Sequence, residues 1–125
     1  MKVVILLILM SLDLYSQEDR WLSIAETSED IFYFDLETFR YEKNGGKNHI
    51  WVKIISKNNF KPDPSNNYLA YLLQKWIISC DNRQIEVIQR YAYLDNGEYT
   101  ENNSYEINEI IPETIGEDFY KFFCK

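Results

Sequence analysis

Few residues of this chain could carry catalysis. His49 is the only histidine among the 125 residues, and it follows a predicted tight turn at the start of a strand. Asp35 and Glu37 alternate onto one face of another predicted strand, and two carboxyl groups at a suitable separation are what a glycosidase uses. The chain has 20 acidic residues, however, so such pairs arise by chance. We therefore predict that the protein is not an enzyme, and a hydrolase acting through Asp35 and Glu37 is a minor alternative.

The other acidic groupings have structural explanations. Glu113, Glu117 and Asp118 cluster where a helix is predicted to begin, and acids there favour the positive end of the helix dipole. The run Asp95–Glu98 resembles the start of a calcium loop, but the residues that follow do not keep the ligand spacing. Nucleophile-elbow, phosphate-binding and zinc-helix motifs are absent from the sequence. We expect no cofactor and no bound metal.

Two cysteines, Cys80 and Cys124, are the only thiols. An even number in a short chain bound for an oxidising compartment favours a disulfide. Pairing them would close a loop of more than forty residues and restrict the unfolded chain by about 4 kcal/mol in the chain-entropy model. Two buried free thiols, or half of a metal site, are the alternatives. We predict the disulfide.

Aromatic residues are abundant, at 16% of the chain with ten Tyr and three Trp. Tyr33, Tyr41, Tyr91 and Tyr93 alternate onto strand faces that also carry charged neighbours. Tyrosine offers a large contact area with few rotatable bonds, which suits recognition. Two interpretations stay open: these rings form a binding face, or they merely complete a two-sided sheet. The Lys57–Asn67 loop is the other candidate for binding.

The elements that must position these residues are mostly strands. Period-two alternation is typical of half-buried strands, and turn residues such as Asn44–Lys47 and Asp95–Gly97 separate the runs. The run Tyr68–Gln74 fits a short helix and a strand extension equally well. The predicted strands are Trp21–Glu26, Ile31–Tyr41, Ile50–Ile55, Trp76–Cys80, Ile85–Leu94 and a weaker Tyr99–Ile107.

Strict alternation assigns faces within these strands. In the first strand it places Ile24 and Ala25 on opposite faces. In the third strand it places Trp51 and Lys53 opposite Ile50, Val52 and Ile54.

The end of the chain changes to helical spacing. Thr114 and Glu117 fit a capping box, in which each side chain satisfies the other residue's exposed amide. Apolar residues then recur on one helix face at Ile115, Phe119, Phe122 and Phe123. We predict an α+β fold, mainly an antiparallel sheet of about five to six strands, with one C-terminal helix packed on it and tethered by the disulfide.

The first residues resemble an export signal. Lys2 precedes the apolar run Val3–Met10, and Ser16 stands before polar residues at a plausible cleavage point. We expect a signal peptide at residues 1–16 and one domain at residues 17–125. The apolar run is shorter than the ~20 residues of a membrane span, and no cysteine near the cut offers a lipid anchor. The mature protein is therefore expected to be periplasmic or secreted.

Charge argues against two classes of partner. The net charge of −7 and the pI near 4.7 disfavour nucleic acid, which requires clustered Lys and Arg. An anionic membrane surface is disfavoured for the same reason.

Landmark residues are scattered over residues 21–124, namely Trp21, Tyr33–Asp35, Ile50–Lys53, Cys80, Arg83, Tyr91, Gly97, Ile111–Pro112, Thr114 and Cys124. Together they resemble the surface-adhesin protein E family of bacterial exported domains. The resemblance implies an antiparallel sheet with a disulfide-tethered helix. It also implies binding to host matrix or plasma proteins such as laminin, vitronectin and plasminogen, and an ability to form homodimers. The family's namesake is lipid-anchored, whereas this sequence lacks the cysteine for acylation.

Two functional hypotheses follow. The first is an exported, non-enzymatic binding module that adheres to a host matrix or plasma protein. The alternative is a periplasmic accessory or inhibitor-like protein that docks on another bacterial protein. Both require a protein ligand.

Overall fold

A computed structural model describes residues 20–57 and 69–124. Within these ranges, eight strands form one antiparallel sheet, and the helix α1 (Ile115–Phe123) follows them. The predicted signal peptide at residues 1–16 and nearly all of the Lys57–Asn67 loop lie outside the described residues. The strands are β1 (Trp21–Glu26), β2 (Asp30–Asp35), β3 (Arg40–Glu42), β4 (Lys47–Ser56), β5 (Leu69–Ser79), β6 (Gln84–Leu94), β7 (Tyr99–Asn102) and β8 (Glu106–Glu109).

The eight strands occupy only six positions across the sheet, in the order β1-β2-β4-β5-β6-β7. Two short strands share a position with another strand. β2 and β3 pair with different halves of β4, and β7 and β8 pair with different halves of β6. The predicted count of about five to six strands is therefore wrong, although it matches the width of the sheet.

Side chains that bond to the backbone explain why two predicted strands are each divided. The Asp35 carboxylate accepts hydrogen bonds from the Glu37 amide (3.0 Å) and the Thr38 hydroxyl (2.7 Å), which ends β2 in a turn. Asn102 Oδ1 accepts a hydrogen bond from the Ser104 amide (2.9 Å) in the same way, between β7 and β8. Such local bonds compete with the strand ladder. The single strands predicted over Ile31–Tyr41 and Tyr99–Ile107 are thus wrong.

The ambiguous run Tyr68–Gln74 is a strand from Leu69 onward, because β5 pairs with β6 from Leu69 to Ser79 and with β4 from Leu72 to Ser79. Tyr68 itself lies outside the described residues. β5 is consequently a central strand of eleven residues.

A bulge in β1 shifts the register with β2 between Ser23 and Ala25. A bulge adds one residue on one strand and resets its alternation. Ile24 and Ala25 both pack with the core as a result. Their predicted placement on opposite faces is wrong.

One face of the sheet packs against α1 to form the core. Phe119 of α1 is fully buried, with its ring centroid 4.8 Å from that of Trp76 and 6.3 Å from that of Phe32. The helix begins as predicted, because Thr114 Oγ1 accepts a hydrogen bond from the Glu117 amide. The buried apolar residues are Ala25, Phe34, Ile50, Val52, Trp76, Ile78, Ile85, Val87 and Phe119.

A disulfide between Cys80 and Cys124 joins the end of β5 to the end of α1. Two further contacts support it. The Asn48 amide Nδ2 donates a hydrogen bond to Cys80 Sγ (3.4 Å), and the Tyr120 hydroxyl donates one to the Cys80 carbonyl (3.2 Å). The predicted α+β fold, an antiparallel sheet with a tethered C-terminal helix, is confirmed. Among the residues described, no helix has the length and apolarity to cross a bilayer.

Candidate functional site

The sheet face opposite α1 carries rings and lysines instead of aliphatic core residues. Side chains of a strand alternate between faces. Since Ile50, Val52 and Trp76 point toward α1, Trp51, Lys53 and Lys75 point away from it. The register extends this face to β6 and β7, because Tyr91 pairs with Leu73, Tyr93 with Tyr71, and Tyr93 with Tyr99. We call the following set the aromatic face: Trp21, Tyr33, Trp51, Lys53, Tyr71, Lys75, Tyr91, Tyr93 and Tyr99.

The rings of the aromatic face contact one another across four strands. Tyr71 and Tyr93 stack with centroids 4.8 Å apart and planes at 18°. Tyr93 lies 5.2 Å from Tyr99, and Tyr91 lies 6.1 Å from Trp51 and 6.0 Å from Tyr99, centroid to centroid. Each aromatic pair contributes roughly 0.5–1.5 kcal/mol beyond its buried area. The rings are therefore held in place before any ligand arrives.

Two lysines lie over these rings. Lys53 Nζ is 4.8 Å from the centroid of Trp21 and 4.6 Å from that of Tyr71, and Lys75 Nζ is 5.9 Å from that of Trp51. Burial, together with the positive charge of Arg20, lowers the pKa of Lys53. In the described segments, neither lysine has a carboxylate within ion-pairing distance.

The outer border of the face at β7 carries an acid. Glu101 lies opposite Tyr91, whose hydroxyl donates it a hydrogen bond of 3.3 Å. Burial and the Glu101 charge raise the pKa of Tyr91. The hydroxyl therefore stays protonated and remains a donor at neutral pH.

The structure brings together three of the four tyrosines singled out from the sequence. Tyr33, Tyr91 and Tyr93 lie on the aromatic face, since Tyr33 pairs with Lys53. Tyr41 does not, because it pairs with Asn48, which is buried on the helix side. Tyr41 instead lines a cavity of about 610 Å³ beside the disulfide.

Sequence reasoning missed Trp21, Trp51, Tyr71 and Tyr99 as members of this face. For β4, the alternation that separates Trp51 and Lys53 from Ile50 and Val52 could have indicated that Trp51 lies on this face. Tyr71 had no such signal, because its run fitted a helix as well as a strand.

Asp35 and Glu37 take structural roles in this structure. The Asp35 carboxylate is bound by the Arg20 guanidinium through two hydrogen bonds of 2.9 Å, and Arg20 also lies 3.4 Å from Glu37. Burial alone would raise the pKa of Asp35, but the hydrogen bonds from Arg20, Thr38 and the Glu37 amide outweigh it and lower the pKa. A carboxyl group held ionised in this way cannot serve as the proton donor that a glycosidase requires.

Two further candidates, Glu117 and Asn96, also make local contacts. The Glu117 carboxylate lies 2.9 Å from Lys121 Nζ, and this contact lowers the pKa of Glu117. In the predicted turn after β6, Asn96 Oδ1 accepts a hydrogen bond from the Glu98 amide (2.9 Å). No group of three or more His, Cys, Asp or Glu residues is placed to hold a metal ion in residues 20–57 and 69–124.

His49 lies beside the carboxylate of Glu42. Its Nε2 atom is 3.0 Å from Glu42 Oε1 and has no hydrogen-bond partner among the described residues. The imidazole borders a small cavity at the edge of the aromatic face.

Fold and site together define a class of protein, a small α+β domain with one disulfide. One face of its sheet presents an aromatic array, and no helix or second sheet among the described residues covers that face. The model of the surface-adhesin protein E family matches residues 21–125, and this chain belongs to that family. The resemblance noted from the sequence is thereby confirmed.

Solved structures of Haemophilus influenzae protein E share the fold. Crystal form II of that protein matches with a TM-score of 0.68 and 13% identity, covering 85% of this chain and 87% of that chain. Protein E from non-typeable Haemophilus influenzae matches with a TM-score of 0.64 and 14% identity, covering 85% of this chain and 76% of that chain. No curated protein matches the chain significantly.

Proposed function

We propose that this protein is an exported, non-enzymatic binding module that attaches to a protein ligand through the aromatic face. The observation that carries the proposal is the continuous array of rings and lysines on the sheet face opposite α1. Membership of a surface-adhesin family supports the same class of function.

The physical properties of the aromatic face suit recognition. Binding energy at interfaces is concentrated in Trp, Tyr and Arg residues, and ordering loose side chains on binding costs about 0.5–1.5 kcal/mol for each side chain. Here the cost is lowered, because Tyr71 and Tyr93 already stack on each other and Lys53 already lies between Trp21 and Tyr71. A preformed face of this kind gains affinity without reorganising.

The ligand we propose is a host matrix or plasma protein. The family relationship supports this choice, and protein E of Haemophilus influenzae has the same fold. Fold likeness alone is a weak argument for a shared ligand, so the proposal depends on a direct binding measurement. Fractionation of the native cells supplies a second criterion, because a protein retained inside the outer membrane would instead dock on another envelope protein.

The binding experiment compares tyrosines on the two sides of the sheet. Purified exported protein is passed over immobilised laminin, vitronectin and plasminogen, and saturable binding to at least one is expected. The variant Tyr99→Ser removes a ring of the aromatic face that is 57% exposed. We expect it to weaken binding at least tenfold, which corresponds to about 1.4 kcal/mol.

Tyr41→Ser is the matched control, since Tyr41 is similarly exposed (53%) but lies on the helix side. Its binding should equal that of the wild type. Equal weakening by both variants, or by neither, would contradict a binding role for the aromatic face. Thermal melting of each variant excludes a loss that comes from unfolding.

A further inference from the structure

A small cavity opens at the end of the aromatic face, where β3 pairs with β4. Its volume is about 140 Å³. Trp51 and Lys75 belong both to this cavity and to the aromatic face, so the two surfaces are continuous. We call it the cationic pocket; it is lined by Thr38, Arg40, His49, Ile50, Trp51 and Lys75.

The cationic pocket has an excess of positive charge in a protein whose net charge is −7. Arg40 Nη2 lies 3.5 Å from Glu42 Oε1, and His49 Nε2 lies 3.0 Å from the same oxygen. One carboxylate is thus shared between two basic groups. In the described part of the chain Lys75 has no carboxylate within ion-pairing distance, and its ammonium lies over the Trp51 ring.

A polar atom of the pocket also lacks a hydrogen bond. His49 Nε2 is buried from solvent and makes no hydrogen bond with any described residue, although Glu42 Oε1 lies 3.0 Å away. A buried polar atom without a hydrogen bond is costly. Because this atom is buried, a ligand in the pocket does not reach it, and the donors that the pocket offers are Arg40 and Lys75.

We infer that the cationic pocket binds the carboxylate of an Asp or Glu side chain on the protein ligand. This inference rests on the proposed function and adds the chemistry of the ligand's contact. Arg40 and Lys75 supply charge-assisted donors for the carboxylate, and the Trp51 ring covers the methylene groups that precede it.

Size favours an acidic side chain over an acidic sugar. A cavity of roughly 150 Å³ holds one molecule of benzene. A carboxylate with one or two methylene groups is smaller than that, whereas a sugar ring with its hydroxyl and carboxyl substituents is larger. The pocket therefore accepts one side chain, and the flat aromatic face beside it accepts the surrounding surface of the ligand.

The test uses small probes instead of the macromolecule. A glutamate blocked at both its amino and carboxyl termini is titrated into ¹⁵N-labelled exported protein, and the indole N–H signal of Trp51 is followed by NMR. We expect a saturable shift with a dissociation constant on the order of 1 mM, which suits a ligand of this size. The equally blocked glutamine, which has the same shape without the charge, should produce no saturable shift.

Variants identify the groups responsible. Lys75→Gln should weaken binding of the blocked glutamate at least tenfold, while Lys75→Arg, which keeps the charge, should retain it. Lys121→Gln is the matched control, because Lys121 is an exposed lysine of α1 on the opposite side of the sheet. Its titration should equal that of the wild type.

Three results would overturn the inference: saturable binding of the blocked glutamine as strong as that of the glutamate, undiminished binding in Lys75→Gln, or tighter binding of glucuronate than of the blocked glutamate. The last would identify an acidic glycan as the ligand. Because these titrations use no matrix protein, their failure leaves the Tyr99→Ser experiment unaffected, and the two proposals can fail separately.

Discussion

Removing the Cys80–Cys124 bridge measures what the tether contributes to stability. The two cysteines are 44 residues apart, and the chain-entropy relation gives about 4 kcal/mol for a loop of that size. Unfolding entropy is about 2.1 cal/mol/K per residue, so 4 kcal/mol corresponds to ~15–20 °C in melting temperature for a domain of about 100 residues. We expect Cys124→Ala to lower the melting temperature by this amount.

Cys80→Ala should be the more destabilising of the two single variants. Cys80 Sγ accepts a hydrogen bond from the buried Asn48 amide, and losing that acceptor adds about 1 kcal/mol. The double variant should be as stable as Cys80→Ala, because the bridge can be broken only once. The loss must therefore be strongly non-additive.

Thermal unfolding followed by far-UV circular dichroism, with urea unfolding as a second measurement, provides the comparison. Wild-type protein with and without a reducing agent is the internal control, since the variants should no longer respond to the reducing agent. Additive losses in the double variant would refute the reasoning. So would a Cys124→Ala melting temperature equal to that of the wild type.

Three further changes test other parts of the fold. Asp35→Asn should destabilise the protein by about 1–2 kcal/mol at pH 7 in urea unfolding, because it removes the charge of the buried Asp35 carboxylate from its hydrogen bonds with Arg20, whose side chain is half exposed to screening solvent. The folded pKa of Asp35 is lowered, so this stabilisation is fully present above the unfolded pKa of about 3.9, begins to decline below it, and is lost as the pH falls through the lower folded pKa. A difference at pH 3 as large as that at pH 7 would contradict it. Phe119→Ala should cost about 3–5 kcal/mol by the same assay, since its fully buried ring leaves a cavity against Trp76. Thr114→Ala should cost about 1 kcal/mol in thermal melts through loss of the helix cap, and Thr114→Ser should not.

The helix and its tether could both be predicted from the sequence. The helix cap at Thr114 and the apolar spacing up to Phe123 lie within one short segment of sequence. The disulfide was predictable for a different reason, because the chain has only two cysteines to pair. Hairpin turns were predictable from local signals, as the helix was, since Gly45 and Gly46 adopt the positive φ angles that glycine tolerates.

The ends of the divided strands and the composition of the aromatic face could not be predicted from short segments of sequence, because they depend on contacts between distant residues. β2 ends at Asp35 because the carboxylate of that residue accepts hydrogen bonds from two places. One donor is Arg20, which directly precedes β1, and the other is the Glu37 amide in the turn that follows β2. To predict the contact between Trp51 of β4 and Tyr91 of β6, one must know how both strands pair with β5, which lies between them. The pairing of β5 with β6 also shifts register between Lys75 and Trp76. Alternation alone gives the face of a residue within its strand but not its neighbours across the sheet.

The bulge in β1 has a consequence for solubility. β1 lies at one edge of the sheet, where an extended segment of another molecule could in principle continue the ladder. The extra residue between Ser23 and Ala25 disturbs the spacing of the outward backbone donors and acceptors. An incoming strand can therefore match only part of this edge, which disfavours open-ended growth into fibrils when many copies are concentrated together.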